Sequence, residues 1–268
     1  MGSARIVGIT LVRDEDLFVE QAVGNVLDFC DEVIVLEHRS IDRTPEILDR
    51  LAADRPAVRV HRIADPRESH NFVAGYAGEA VWVAGFDGDQ LFDPIGLAAL
   101  RPRLLDGEFD PFWSVVGCGF NCLEVDAAAG TARGYHAPPS RATPKLFNFA
   151  AIDAWDGPTP ERLHGGTIRF RPGFGADSRS DDLQKLPWEE TPLRWLHLCF
   201  VRRSSKRPET TRLNPAETVG RHEPRERLRR AASRLLGRPT TQGKVEAYSR
   251  GRVASVDARP FLSPALRT

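Results

Sequence analysis

Four apolar, β-branched runs at residues 5–12, 32–37, 57–63 and 81–86 alternate with stretches whose apolar residues recur at helical spacing. This alternation constrains the fold more than anything else in the chain. Leu17, Val19, Ala22, Val23, Val26, Leu27 and Phe29 fill the first interval. Ile47, Leu48 and Leu51 give the second its stripe, with Pro45 suited to a first helical turn, and the third runs from about Ser69 to Ala77. Strands separated by single helices pair in parallel through right-handed crossovers, which places helices on both faces of an open sheet. The chain is therefore expected to be α/β, its first strands buried on both sides.

Open parallel sheets bind ligands beyond the carboxyl ends of their strands, so the residues that end each run are candidates for a site. These are Arg13, Glu37, Asp65 with Arg67, and Asp87 with Asp89. The run Val81-Trp82-Val83-Ala84-Gly85-Phe86 stops on Asp87-Gly88-Asp89. Gly88 has no side chain to obstruct a close approach. Two carboxylates suit a hard cation such as Mg2+ or Mn2+, whose shell substrate phosphates complete. A helix-capping role ahead of Pro94 is the alternative. The first strand-to-helix turn, Val12-Arg13-Asp14-Glu15-Asp16, lacks Gly-x-Gly-x-x-Gly, and Gly-x-x-x-x-Gly-Lys-Ser/Thr occurs nowhere. Without a backbone cradle, diphosphate charge must be met by a metal or by side-chain cations.

Three stretches then resemble, in order and spacing, family 2 glycosyltransferases of the GT-A fold: Val7-Gly8-Ile9-Thr10-Leu11-Val12-Arg13-Asp14-Glu15, Glu32-Val33-Ile34-Val35-Leu36-Glu37-His38-Arg39-Ser40-Ile41-Asp42-Arg43-Thr44, and Phe86-Asp87-Gly88-Asp89. The resemblance implies a GT-A, Rossmann-like sheet and a nucleotide-diphospho-sugar donor, with uridine as its nucleoside. It also implies that Thr10, Leu11, Arg13, Glu15 and Glu37 contact the nucleoside, and that Asp87, Gly88 and Asp89 form the motif for a divalent metal, Mn2+ or Mg2+. At Glu37-His38-Arg39-Ser40 the chain departs from the family, which more often has Asp followed by small residues.

Past Leu105 the pattern becomes antiparallel. Phe112–Val125 alternates, Asp126–Gly130 reads as a turn and Thr131–His136 as its returning partner. Arg141–Phe149 and Leu163–Phe170 hold two more short β segments, joined by a polar link with Trp155, Asp156 and Glu161. In the resembled fold this half faces the acceptor, and Lys145-Leu146-Phe147 and His164-Gly165-Gly166 look like loose versions of stretches in one branch. Leu193–Lys206 is similar to a further segment of that branch. There a His, here His197, is the third metal ligand, and basic residues, here Arg202 and Lys206, approach the diphosphate. Transfer with inversion needs a carboxylate to deprotonate the acceptor hydroxyl. Asp181 and Asp182 stand at about the family's distance beyond the metal motif, with Asp156 and Glu161 as alternatives.

Residues 1–200 hold 20 Lys and Arg against 31 Asp and Glu, whereas 201–268 hold 17 against 6. One domain over 1–203 is expected, with a nucleotide-sugar half of about 1–105 and an acceptor half of about 106–203. A basic helix and tail over 204–268 follows, loose from about Thr240. Leu228, Ala231, Ala232, Leu235 and Leu236 give that helix an apolar stripe among arginines, suited to lying on the acidic body or to peripheral membrane contact. No run approaches 18 apolar residues, no signal-peptide pattern opens the chain, and Cys30, Cys118, Cys122 and Cys199 form no disulfide framework, so a cytoplasmic protein is expected. No nucleic-acid recognition module accompanies the basic residues.

The resulting expectation is a metal-dependent glycosyltransferase of hexosyltransferase type, moving a sugar from a nucleotide-sugar to an acceptor hydroxyl with inversion. A non-catalytic nucleotide-sugar-binding protein is the alternative. A sugar-phosphate nucleotidyltransferase is disfavoured, because no glycine-rich, Arg- and Lys-bearing loop follows the first strand.

Overall fold

The computed structural model describes residues 4–136, 143–157, 159, 161–211, 245 and 248–262. A seven-stranded sheet carries β1 (Arg5–Val12), β2 (Glu32–Glu37), β3 (Val58–Arg62) and β4 (Val81–Asp87) as a continuous parallel block in the order β3-β2-β1-β4. Between these strands lie α1 (Val19–Gly24), α2 (Thr44–Asp54), and a 3-10 turn Pro66–His70 that runs into α3 (Asn71–Ala74). The predicted mixed α/β architecture with a mostly parallel sheet is the observed one.

Alternate residues of the parallel strands enter two separate cores, as burial on both faces requires. Ile6, Val33, Val35, Trp82, Ala84 and Phe86 pack with α1 and α2 on one face. Val7, Ile9, Leu11, Ile34, Leu36 and Val83 pack with Val73 of α3 on the other. The register levels the strand ends, pairing Leu11 with Asp87 and Val12 with Glu37. The carboxyl tips of β1, β2 and β4 therefore form one rim.

Beyond β4 come β5 (Gln90–Phe92) and α4 (Pro94–Leu105). The cap of α4 is Asp93, whose side chain accepts from the Ile95 amide at 3.0 Å and lies 2.8 Å from Nη2 of Arg194. Capping thus falls to Asp93, leaving Asp87 and Asp89 for other work.

The antiparallel half begins with β6 (Ser114–Val116), β7 (Cys118–Asp126) and β8 (Thr131–His136), followed by β9 (Pro144–Asn148). Strand β9 runs antiparallel between β4 and β6 and so joins the main sheet. The predicted β segment over Leu163–Phe170 is only partly strand. Gly165 and Gly166 have φ of 73° and 70°, which turns the chain, and β11 covers Thr167–Phe170 alone. Its partner is β10 (Ile152–Asp156), in the stretch read from sequence as a polar link. After β12 (Arg179–Ser180) and α5 (Asp182–Lys185), β13 (Arg194–His197) enters a second sheet of order β14-β8-β7-β13-β5.

Strand β14 (Ala254–Asp257) corrects the expected loose tail: it pairs with β8, and Ala258 and Phe261 are fully buried. Asn25, at the end of α1, donates from Nδ2 to the carbonyls of Phe92 at 2.7 Å and Phe261 at 2.8 Å. The predicted basic helix over 225–236 lies outside the described residues. No helix among the described residues is long and apolar enough to cross a membrane.

Candidate functional site

The two carboxylates at the tip of β4 have different partners. Asp87 lies with Oδ1 2.5 Å from Nη2 of Arg162 and Oδ2 3.2 Å from Nζ of Lys145. Lys145 reaches it from β9, and Arg162 from the turn before β11. Both cations are almost fully buried. Arg162 also donates to the Phe86 carbonyl and stands 3.0 Å from Oε1 of Glu161. Burial by itself would raise the Asp87 carboxyl, but Lys145 and Arg162 outweigh it and hold the group well below the ordinary carboxylate range. Burial likewise pushes the Lys145 ammonium down, against the pull of Asp87.

Asp89 is buried against the guanidinium of Arg203, whose Nε lies 3.6 Å from Oε2 of Glu15. The pairing of His197 with Gln90 across β13 and β5 places its ring beside the same carboxylate, with Nε2 3.6 Å from Oδ2 of Asp89. The His197 tautomer follows from its neighbour. Asn121 donates from Nδ2 to the Tyr248 carbonyl at 3.1 Å, so its Oδ1 faces Nδ1 of His197 at 3.0 Å and accepts from it. Nε2 is then the ring nitrogen that faces Asp89.

These contacts revise the expected metal set. Asp87 does not suit a metal, because both its oxygens are engaged by buried cations. Asp89 is engaged as well, by the buried Arg203 guanidinium on the oxygen that faces His197, so an ion held by Asp89 and His197 would require that guanidinium to move away. Among the described residues, no cluster of three or more His, Cys, Asp and Glu side chains is placed to hold an ion.

The loops after β1 and β2 are cross-braced around this point. The Glu15 amide donates to Thr44 Oγ1 at 2.8 Å, and Ile41 donates to Asp14 Oδ1 at 2.7 Å. The segment after β13 straps over both loops: Ser204 donates to Asp42 at 2.5 Å, the Ser205 amide to Asp16 at 2.7 Å, and Arg207 to Asp14 at 3.0 Å. Gly88 is closely packed by the protein itself: a Cβ there would stand 3.2 Å from Cγ of Glu15 and 3.3 Å from Val12.

Of the expected nucleoside-side residues, Thr10 and Leu11 are buried in β1, and Arg13 sits half-exposed at its end. Glu37 accepts from the Ser40 amide at 2.5 Å and lies 3.7 Å from Arg62, so it holds the loop after β2. Arg67 is exposed and turned onto Asp65, whose carboxyl this partner draws down to about 2. Arg202 donates to the carbonyls of Ser204 at 2.9 Å and Ser205 at 2.8 Å, and the Lys206 amide donates to Ser204 Oγ at 3.2 Å. Both brace the strap.

Of the base candidates, Glu161 is brought to the tip of β4, where Arg162 bridges it to Asp87, and Asp181, Asp182 and Asp156 are not. Asp181 and Asp182 are exposed and pair with Lys185 on α5, at 2.8 and 2.9 Å, and Asp156 is exposed at the end of β10. A small, open pocket instead lies beside Asp87, lined by Gly85, Thr143, Lys145, Phe147, Arg162 and His164 among others. Lys145 and His164 lay in stretches the sequence had marked. Arg162 gave no signal of its own, because its partner Asp87 is 75 residues away along the chain.

No family model and no curated protein matches the chain. Among solved structures it is similar to a mannosyltransferase from Pyrobaculum calidifontis in complex with GDP-Man and Mn2+, at 20% identity over 44% of this chain and 36% of that one, with a TM-score of 0.34. It is also similar to glucosyl-3-phosphoglycerate synthase from Mycobacterium tuberculosis in complex with Mn2+, UDP and phosphoglyceric acid, at 21% identity over 44% and 43% of the two chains, with a TM-score of 0.33. A third is the 4-diphosphocytidyl-2C-methyl-D-erythritol synthase of Anaerococcus prevotii, at 16% identity over 56% and 73%, with a TM-score of 0.35. The chain spans less than half the length of the first two.

Proposed function

We propose that the protein is a glycosyltransferase of the GT-A type that moves a hexosyl group from a nucleotide-diphospho-sugar, UDP-linked, to an acceptor hydroxyl with inversion. The observation that carries this reading is the convergence of Asp89, His197 and Arg203 at the level rim of the parallel strands, where a sheet of this kind binds its ligand. In this reading Asp89 and His197 hold a divalent cation, Mn2+ or Mg2+. Bound there, it supplies positive charge to the departing diphosphate. The chain's own part is to bring Arg203 to the same place, where its guanidinium is set to move from Asp89 onto the diphosphate. The loops after β1 and β2, braced by Glu15 and Glu37, shape the nucleoside side, and the pocket beside Asp87 takes the acceptor.

A cytoplasmic setting goes with this reading. All four cysteines are free thiols, and burial pushes those of Cys30 and Cys122 well above their ordinary range, away from redox chemistry.

The pairing of Arg203 with Asp89 favours one alternative, a protein that binds nucleotide-sugar without turning it over. Hydrolysis of UDP-glucose and GDP-mannose, measured with and without Mn2+, decides between them. Turnover that disappears in a folded Asp89→Ala variant supports the transferase. Nucleotide binding without turnover over a broad acceptor panel supports the alternative, and equal turnover by wild type and variant rejects the proposed site.

A further inference from the structure

His164 lines the pocket beside Asp87, and its imidazole is paired with the carboxylate of Glu161. Glu161 and His164 close a tight turn, the His164 amide donating to the Glu161 carbonyl at 3.0 Å. Within it Arg162 adopts φ +23°, a conformation that residues with a β-carbon rarely take. The surroundings over-determine that conformation. The Arg162 amide donates to Ser69 Oγ at 2.7 Å, its carbonyl accepts from Nδ1 of His70 at 2.5 Å, and its guanidinium grips Asp87. Strain held in this way concentrates at working sites.

Its effect is to aim one side chain. Glu161 is buried, while the His164 side chain is 54% exposed, with Nδ1 3.3 Å from Oε1 of Glu161. The carboxylate beside Nδ1 favours the tautomer with its proton on Nδ1, which leaves Nε2 with its lone pair. The charged groups facing the ring are Glu161, Arg162, Asp87 and Lys145. Burial lowers the His164 pKa below 6.5 and Arg162 adds to this, while Glu161 opposes it, so the ring is neutral at neutral pH. Asp87, in the same pocket, is a poor base, because two cations hold it ionised.

We propose that His164 is the general base that accepts the acceptor's hydroxyl proton, with Glu161 as the positioning residue that fixes its tautomer. This assignment rests on the transferase reading above. As the acceptor oxygen bonds to the anomeric carbon, its proton passes to Nε2 of His164. The bond from that carbon to the diphosphate oxygen breaks, its electron pair leaving with the nucleoside diphosphate, and His164 later releases the proton to solvent. Lys145 and Arg162 supply a positive field for the oxygen as it loses its proton.

The test joins nitrogen NMR of the His164 ring in the full chain to turnover of UDP-glucose and GDP-mannose with water as acceptor. The expected ring is the Nδ1–H tautomer, titrating below 6.5. His164→Ala should lose about 100-fold or more in kcat with little change in KM, keep its UDP-induced thermal shift, and regain turnover on addition of free imidazole. Glu161→Gln should lower kcat and move the acid limb of the rate profile to still lower pH, which loss of packing alone would not do. An Nε2–H tautomer in the wild type, or wild-type turnover by a folded His164→Ala, overturns the assignment and leaves the transferase reading standing. A wild type that turns over neither donor overturns both.

Discussion

Nε2 of His197 lies 3.6 Å from Oδ2 of Asp89, and the ring is held there by Asn121, two strands of the second sheet having been laid beside the tip of the first. Asn121 therefore acts on any bound cation through His197. Asn121→Leu is expected to weaken Mn2+ binding in the presence of UDP by about 10–100-fold, with the fold intact, as read by titration calorimetry.

In the proposed reading, Arg203 and a cation compete for the Asp89 carboxylate. Arg203→Gln is expected to tighten Mn2+ binding in the absence of nucleotide and to weaken UDP binding in its presence. Two calorimetric titrations on one variant check both signs, and a uniform loss of both affinities counts against the shared position.

Arg162 is buried, and its removal leaves Asp87 with one partner cation instead of two and Glu161 without its contact to Arg162. Breaking such a pair costs about 3–5 kcal/mol. Arg162→Met should lose stability on that scale in urea denaturation, with circular dichroism confirming the fold at low denaturant.

The Asp87 carboxyl is held below its ordinary value of 3.8 in the folded state. It therefore contributes stability at every pH above that ordinary value, and loses the contribution as pH falls through the folded one. Urea midpoints across acid pH should decline below 3.8, and Asp87→Asn should flatten that part of the decline.

Much of the parallel block was legible in the sequence because both-face burial leaves a continuous apolar run, as in Val33-Ile34-Val35-Leu36. Strand β10 was not, since Ile152-Asp153-Ala154-Trp155-Asp156 breaks the alternation, with buried Ile152 and Trp155 three residues apart, and reads as polar. The expected strand from Leu163 failed at Gly165 and Gly166, whose positive φ values serve the Glu161–His164 turn. Strand β14 is short, and it is recognised only by what it pairs with. In the site, the Asp-x-Asp spacing was visible, but which oxygen meets which cation was not. The distribution depends on Lys145, Arg162 and Arg203, each brought in by a different element. Adjacent carboxylates such as Asp181 and Asp182 look catalytic at the level of spacing, yet they lie on an exposed helix with a lysine of their own.

The amide of Asn25 reaches two carbonyls, one belonging to Phe261. A residue near the first helix thus waits for one that the ribosome adds hundreds of peptide bonds later. Until then, Asn25 lacks one of its two acceptors and Trp188 lacks the ring it stacks on. The parallel block can collapse early during synthesis, but the last of its ties to the second sheet, the one through Asn25, is complete only once residue 261 has emerged.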